Sequence, residues 1–415
     1  MLQNPGKMHI HKQLTAFLEE HHLLSSTQFG FRTKRNTELA ATLFLDEIRR
    51  SMDKGELTGA IFIDLSKAFD TLSHAQIIES LSSCGVTGIE KELFIDYLFN
   101  RKQTVRIDKE TSTPEPITCG VPQGSILGPL LFLIAFNDIG STLHHCNIIT
   151  YADDTVIYTS GKNKEDIEKV LQDDFQSLAA WLEANDLVIN LKKGKTECML
   201  IGTPQRVKNK SIEINYHHHT LFLTDTYKYL GIQLDQTLSL RKHIETVYKK
   251  ASARLYLLKR IRPQLTTDAA LTIYKTMLTP LFTYCSILTG NPSKTFQTKV
   301  KNLENRAYKI VFKGNVPRKS KFTTISELNK KRICLQVINC ILGNTCENFE
   351  NYFEMMKNNT RNKNCRLRLP KIKLEVCRKS FFFNGAKEFN TLPMKIRSAQ
   401  STEEFLKFYK EVFNL

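Results

Sequence analysis

Ten cysteines are scattered through the 415 residues without a single CxxC pair, so neither a zinc knuckle nor a dithiol redox motif is on offer. The amino terminus, MLQNPGKMHIHKQ, has no apolar core of the kind a secretory signal needs. Cysteines in a chain without an export signal read as reduced thiols of the cytosol or nucleus. Long apolar runs are missing too. The longest, ILGPLLFLIAF at residues 126–136, contains Gly-Pro and is far short of the roughly 20 residues that cross a bilayer. Tryptophan occurs once, at Trp181. These absences exclude an exported disulfide scaffold and a helical membrane protein, and they place the chain inside the cell, in nucleus or cytoplasm.

What is present is the composition of a folded protein, 41% hydrophobic and 24% charged, long enough for one large core or two to three packed units. The net charge of +17 is unevenly spread. Residues 1–240 carry 24 Lys and Arg against 30 Asp and Glu, whereas residues 241–415 carry 35 against 12. A basic region of that size commonly faces a polyanion, nucleic acid above all.

Apolar periodicity outlines the elements. Helical spacing covers residues 12–24, and Asn36 or Thr37 caps a second helix that stops near Gly55. GAIFIDL at residues 59–65 is a β-rich apolar run that reads as a buried strand. Helices follow over 75–84 and 90–99, KQTVRI alternates like a strand, and Ser125 starts a helix running to about 139. A hairpin around YADD precedes a helix over 164–185; CMLIG and YKYLGIQL are further strands. Beyond residue 240 the pattern is helical, over 240–260, 267–288 and 293–313.

Three stretches carry chemistry. YADDT puts Asp153 and Asp154 side by side at a hairpin tip, an arrangement that a divalent cation makes tolerable. Asp64 ends the strand AIFID, where a sheet edge opens, although aspartate is a poor strand former. CGVPQGSILGPLLF sets Gly, Pro, Gln and Gly ahead of an apolar helix, and glycines let backbone come close to a ligand.

In this order and spacing, AIFIDLSKAFDTLSH, GVPQGSILGPLLF and YADDT resemble motifs A, B and C of reverse transcriptases, most closely those of jockey-like, LINE-type non-LTR retrotransposons. The similarity continues through LLSSTQFGFRTKRNT before motif A, WLEANDLVINLKKGKTECMLIG as motif D, YKYLGIQLD as the primer grip, and a thumb from residue 243 onward. It implies an α+β right-hand polymerase: partial fingers (1–57), a palm with an antiparallel sheet and flanking helices (58–239), a basic helical thumb (240–315) and a carboxy-terminal helical segment (316–415).

The implied activity is RNA-directed DNA polymerisation from a primer 3′-hydroxyl with dNTPs on an RNA template. Two Mg²⁺ ions, or Mn²⁺ in their place, would be held by Asp64, Asp153 and Asp154. By the same resemblance Phe69 is the steric gate against ribonucleotides, Gln123 and Gly124 line the nascent base pair, and Arg32 and Arg35 contact template or nucleotide phosphates. Lys195 is the motif D lysine, a proton donor to pyrophosphate. Tyr229, Leu230 and Gly231 form the primer grip, and the basic helices hold the RNA–DNA hybrid. Compared with that family the sequence reads as an amino-terminally truncated copy. The rival expectations are a catalytically inactive nucleic-acid-binding remnant and an RNA-copying RNA polymerase.

Overall fold

LTGAIFI forms the strand β1 (Leu57–Ile63), and all seven of its residues are buried. A continuous apolar run suits a strand covered on both faces, and β1 is the middle of a five-stranded sheet. Its partners are β2 (Asn147–Tyr151), β3 (Asp154–Gly161), β4 (Glu197–Ile201) and β5 (Phe222–Leu223), in the order β5-β4-β1-β3-β2. Every pairing is antiparallel except that of β5 with β4. In this computed structural model the described residues are 5–413, apart from 100, 123, 290–291, 315–322 and 357–364.

The helices that position the site and its supports are α1 (Pro5–Glu20), α2 (Thr37–Asp53), α3 (His74–Ser83), α4 (Leu127–Ala135), α5 (Lys164–Ala184), α6 (Arg241–Ile261), α7 (Lys294–Val311), α8 (Ile325–Ile341) and α9 (Phe381–Asn390). The chain divides into two compact units. The first holds residues 1–36, 57–201 and 205–225. There α5 lies over β1 and β3, and α3 packs on α4. Leu131, Phe132, Ile61, Ile157 and Phe175 are among its fully buried core.

The second unit holds residues 37–56, 202–204 and 226–415. One apolar core in it joins α6 and α7 through Leu255, Leu258, Leu303 and Ala307. The sequence places residues 1–57 together and treats residues 316–415 as a separate end piece; the units divide differently. Most of α2 is buried, and it groups with the carboxy-terminal residues, whose Phe349, Phe381, Phe389 and Phe405 are core side chains. A helix with that much apolar surface settles where most of it can be covered.

Three expected elements also differ. The helix over 267–288 is broken into Thr267–Ile273, a π-turn at Tyr274–Leu278, Thr279–Thr283 and Ser286–Thr289. Pro280 has no N–H to donate, and Cys285 sits at φ 50°. KQTVRI makes two separate two-residue strands, Lys102–Gln103 and Arg106–Ile107, in different ribbons. YKYLGIQL is a hairpin rather than one strand: β6 (Thr226–Tyr229) and β7 (Ile232–Asp235) pair across Leu230-Gly231. Both turn residues have positive φ, 44° and 81°, the requirement of a type I′ two-residue turn.

Candidate active site

Sheet register brings the three aspartates together. Ile63, the last residue of β1, pairs with Thr155 of β3, so the next residue, Asp64, lies opposite Asp154. Tyr151 pairs with Asp154, leaving Ala152-Asp153 as the two-residue hairpin tip. Ala152 takes a left-handed φ of 55°, an uncommon conformation for a residue with a side chain.

The carboxylates crowd one another. Asp154 reaches solvent at one edge, yet loss of hydration around its carboxyl, then the charges of Asp153 and Asp64, push its pKa up to about 6 against the pull of Lys195. Burial also raises Asp153, helped by Asp64 and opposed by its own backbone and Lys195. Lys195 Nζ stands 3.2 Å from Asp64 Oδ1, an ammonium placed where the acid cluster calls for positive charge.

This strain has a sign that can be measured. A folded-state pKa near 6 means that the folded chain holds the Asp154 proton more tightly than the unfolded chain, so stability falls as pH rises from about 4 to about 6. Without divalent metal, Asp154→Asn should therefore melt higher than the unaltered chain at pH 7.5, with the gap shrinking as pH is lowered toward 4. Thermal melts in EDTA across that range check it; a variant melting at or below the parent at pH 7.5 would contradict it.

Neighbouring segments hold the cluster in place. Asp64 N donates to Thr196 Oγ1 at 3.1 Å, its carbonyl accepts from Asn190 N at 2.8 Å, and Asn190 Nδ2 donates to Asp64 Oδ2 at 2.9 Å. The hairpin tip is clamped by Gln28, which is 3% exposed. Its Oε1 accepts from Ala152 N at 3.0 Å and from Gly30 N at 2.8 Å. A Cβ on Gly30 would stand 2.4 Å from Ala152 N, so only glycine lets this backbone approach the tip. Gln28 and Asn190 were not singled out in the sequence. Their signal was faint, a polar residue inside TQFGF and another inside LVINL.

Phe69 stacks on Phe132, with ring centroids 4.2 Å apart, and meets Phe31 edge-on at 6.3 Å. It lines a cavity of about 250 Å³ together with Val121, Pro122, Gly124 and Gly128, so the structure does bring Phe69 and Gly124 to one place. Gln123 lies outside the described residues. The glycine-rich loop is stitched to the segment after Asp64. Gly120 N donates to Leu72 O at 2.7 Å, Val121 N donates to Phe69 O at 2.8 Å, and His74 Nε2 is 2.9 Å from Gly120 O. Gly120 has φ +80°, and a Cβ there would come within 2.7 Å of Asp70 O. Buried His74 is a further support that the sequence did not mark.

The two fingers arginines have partners within the chain. Arg32 makes a forked ion pair with Glu19, at 3.0 and 2.7 Å, and donates to Ser25 O at 2.6 Å. Arg35 donates to Ser26 O at 2.6 Å and lies over the Phe29 ring. Both guanidiniums are turned inward, bracing the loop that leads to Gln28, because a buried guanidinium must satisfy its donors locally. In the second unit, the tip Leu230-Gly231 is held by Tyr284, whose hydroxyl donates to Leu230 O at 2.6 Å. Tyr229 packs edge-on against Phe44 at 5.3 Å.

Several known proteins are similar to this chain in sequence or structure. The family model described as reverse transcriptase (RNA-dependent DNA polymerase) matches residues 7–234. A probable RNA-directed DNA polymerase from transposon BS of Drosophila melanogaster is 28% identical over 73% of this chain and 34% of its own length. The RNA-directed DNA polymerase from mobile element jockey of the same species is 27% identical over 68% of this chain and 31% of its own length. The chain thus spans about a third of the length of these relatives. A solved telomerase from Candida tropicalis is similar at 12% identity over 83% of this chain and 55% of that one, with a TM-score of 0.43. With Asp64, Asp153 and Asp154 brought together by sheet register inside the matched region, the chain belongs to the reverse transcriptase (RNA-dependent DNA polymerase) family.

Proposed function

We propose that this chain carries the polymerase chemistry of an RNA-directed DNA polymerase, extending a primer 3′-hydroxyl with dNTPs on an RNA template. The observation that carries this reading is the register that sets Asp64 opposite Asp154 beside Asp153.

Reverse transcriptases use divalent metal ions. Among the described residues no three His, Cys, Asp or Glu side chains are already arranged as a metal-binding set. The donor chemistry nonetheless fits: three carboxylates crowd together, two have raised pKa values, and an ammonium partly offsets them. Asp64, Asp153 and Asp154 would hold two Mg²⁺ ions, which when bound supply charge neutralisation at the transferred phosphoryl group and a more acidic primer hydroxyl.

The remaining work falls to the chain's own groups. Asn190 and Thr196 fix Asp64, so its carboxylate is oriented before substrate arrives. Lys195, half-exposed and paired with Asp64 at 3.2 Å, is the group to donate a proton to the departing pyrophosphate. The Phe69 ring narrows the cavity beside Gly124 and excludes a sugar bearing a 2′-hydroxyl. The basic excess of residues 241–415 grips phosphates without regard to sequence.

Primer extension on poly(rA)/oligo(dT) with Mg²⁺ tests the reading. Incorporation of dTTP supports it, its absence from a folded chain that still binds the hybrid leaves an inactive nucleic-acid-binding protein of the same fold, and preference for UTP indicates an RNA polymerase. In the same assay Phe69→Val should raise UTP use relative to dTTP by roughly tenfold or more. An unchanged ratio would remove Phe69 from sugar selection.

A further inference from the structure

Within the second unit lies a cavity of about 520 Å³, bounded by side chains of α6, α7 and α8. That volume falls within the range of small-molecule sites. Its lining mixes aliphatic and aromatic side chains, Phe296 included, with polar and charged ones. Asn329, on α8, lines it while only 8% exposed, and its Oδ1 is buried with no hydrogen-bond partner. A buried polar atom left unpaired is costly, and a ligand donor would relieve it.

Two more polar groups line the same space. Glu304 is buried and spends one oxygen on Ile325 N at 2.7 Å. His243 is held neutral by burial and by the charge of Lys250. Its Nδ1 accepts from Gln233 N at 3.3 Å, which assigns the ring proton to Nε2. Lys294 and Lys301 also line the cavity and are solvent-exposed, two cations available to an anion.

We propose that this cavity binds an adenine nucleotide, its base inside and its phosphate at Lys294 and Lys301. The exocyclic amine offers two N–H donors to the two acceptors, Asn329 Oδ1 and Glu304. A ring nitrogen accepts from His243 Nε2–H, and Phe296 supplies an apolar face for the base. Uracil has no exocyclic amine, and it leaves those acceptors unmet. The same chemistry is carried by a free nucleotide and by an adenine in a single strand. This site uses none of the three aspartates and does not depend on the polymerase reading.

Ligand-observed NMR titration of the full chain with AMP, UMP and oligo(dA) tests it. AMP should bind with a Kd of about 1 mM or tighter, UMP at least about tenfold more weakly. Tighter binding of oligo(dA) than of AMP identifies a strand as the source; the reverse identifies the free nucleotide. Asn329→Leu, which removes the unpaired atom, should melt no lower than the parent yet weaken AMP at least about tenfold. AMP binding should be equal in an Asp153→Asn chain. Equal affinity for AMP and UMP, or AMP binding untouched in both Asn329→Leu and a Lys294→Glu/Lys301→Glu variant, would overturn the proposal.

Discussion

Asp153→Asn should lower dTTP incorporation by roughly 10³-fold or more, because bound cations supply several kcal/mol of charge stabilisation and each ~1.4 kcal/mol is a factor of ten. The substitution keeps the side-chain shape at the hairpin tip, where the Gln28 side-chain amide clamps the Ala152 backbone, so the turn should persist. Binding of an RNA–DNA hybrid should be nearly unaffected, since the positive excess lies in residues 241–415. Asp64→Asn should be about as damaging, and the double variant little worse than either, as expected for groups that act as one unit. Primer extension together with fluorescence anisotropy of a labelled hybrid separates the outcomes. Near-parental extension by Asp153→Asn would sink the site assignment.

The second large effect concerns folding. Asp46 on α2 is fully buried and accepts four bonds: from Arg49 Nη1 at 3.4 Å, Phe381 N and Phe382 N at 3.1 Å, and Tyr352 Oη at 2.7 Å. Burial raises its pKa against the stabilising pull of Arg49, Tyr352 and the two amides. Arg49 is equally buried, and its Nε and Nη2 have no partner. Asp46→Ala would leave that guanidinium without its counter-charge and strand two helix-start amides at α9. Breaking a buried pair in this way costs about 3–5 kcal/mol, a fall in melting temperature on the order of 10 °C for a unit of this size. Asp46→Ala/Arg49→Met should recover part of the loss, since no lone charge then remains. Calorimetry of the three chains decides it; a drop no larger than that of a surface substitution would show the network to be dispensable.

That network also shows where the sequence could and could not be read. Asp64 after AIFI, and Asp153-Asp154 between two apolar runs, stood out because acids are unexpected at the ends of buried strands. Their meeting followed from pairing two recognisable strands. Asp46 and Arg49 left no such signal. At spacing i, i+3 on an amphipathic helix, a pair of opposite charges resembles any solvated face, and its partners are more than 300 residues away.

Arg32 and Arg35 illustrate the converse. Their match to the family's fingers segment implies phosphate contacts, and only the tertiary structure shows that they also bond to Glu19, Ser25 and Ser26. Gln28, Asn190 and His74 became visible as supports only once segments far apart in the chain were set side by side.

By itself the sequence determined the chemistry available to this protein: three acids at strand ends, glycines ahead of an apolar helix, and positive charge concentrated after residue 240. Those features are local, and local patterns of burial and charge are written in residue order. Tertiary structure alone decided which polar groups are spent internally, which face a cavity, and where α2 is buried. Each of those outcomes depends on pairing between distant segments, where a buried donor or acceptor must find its partner or remain unsatisfied.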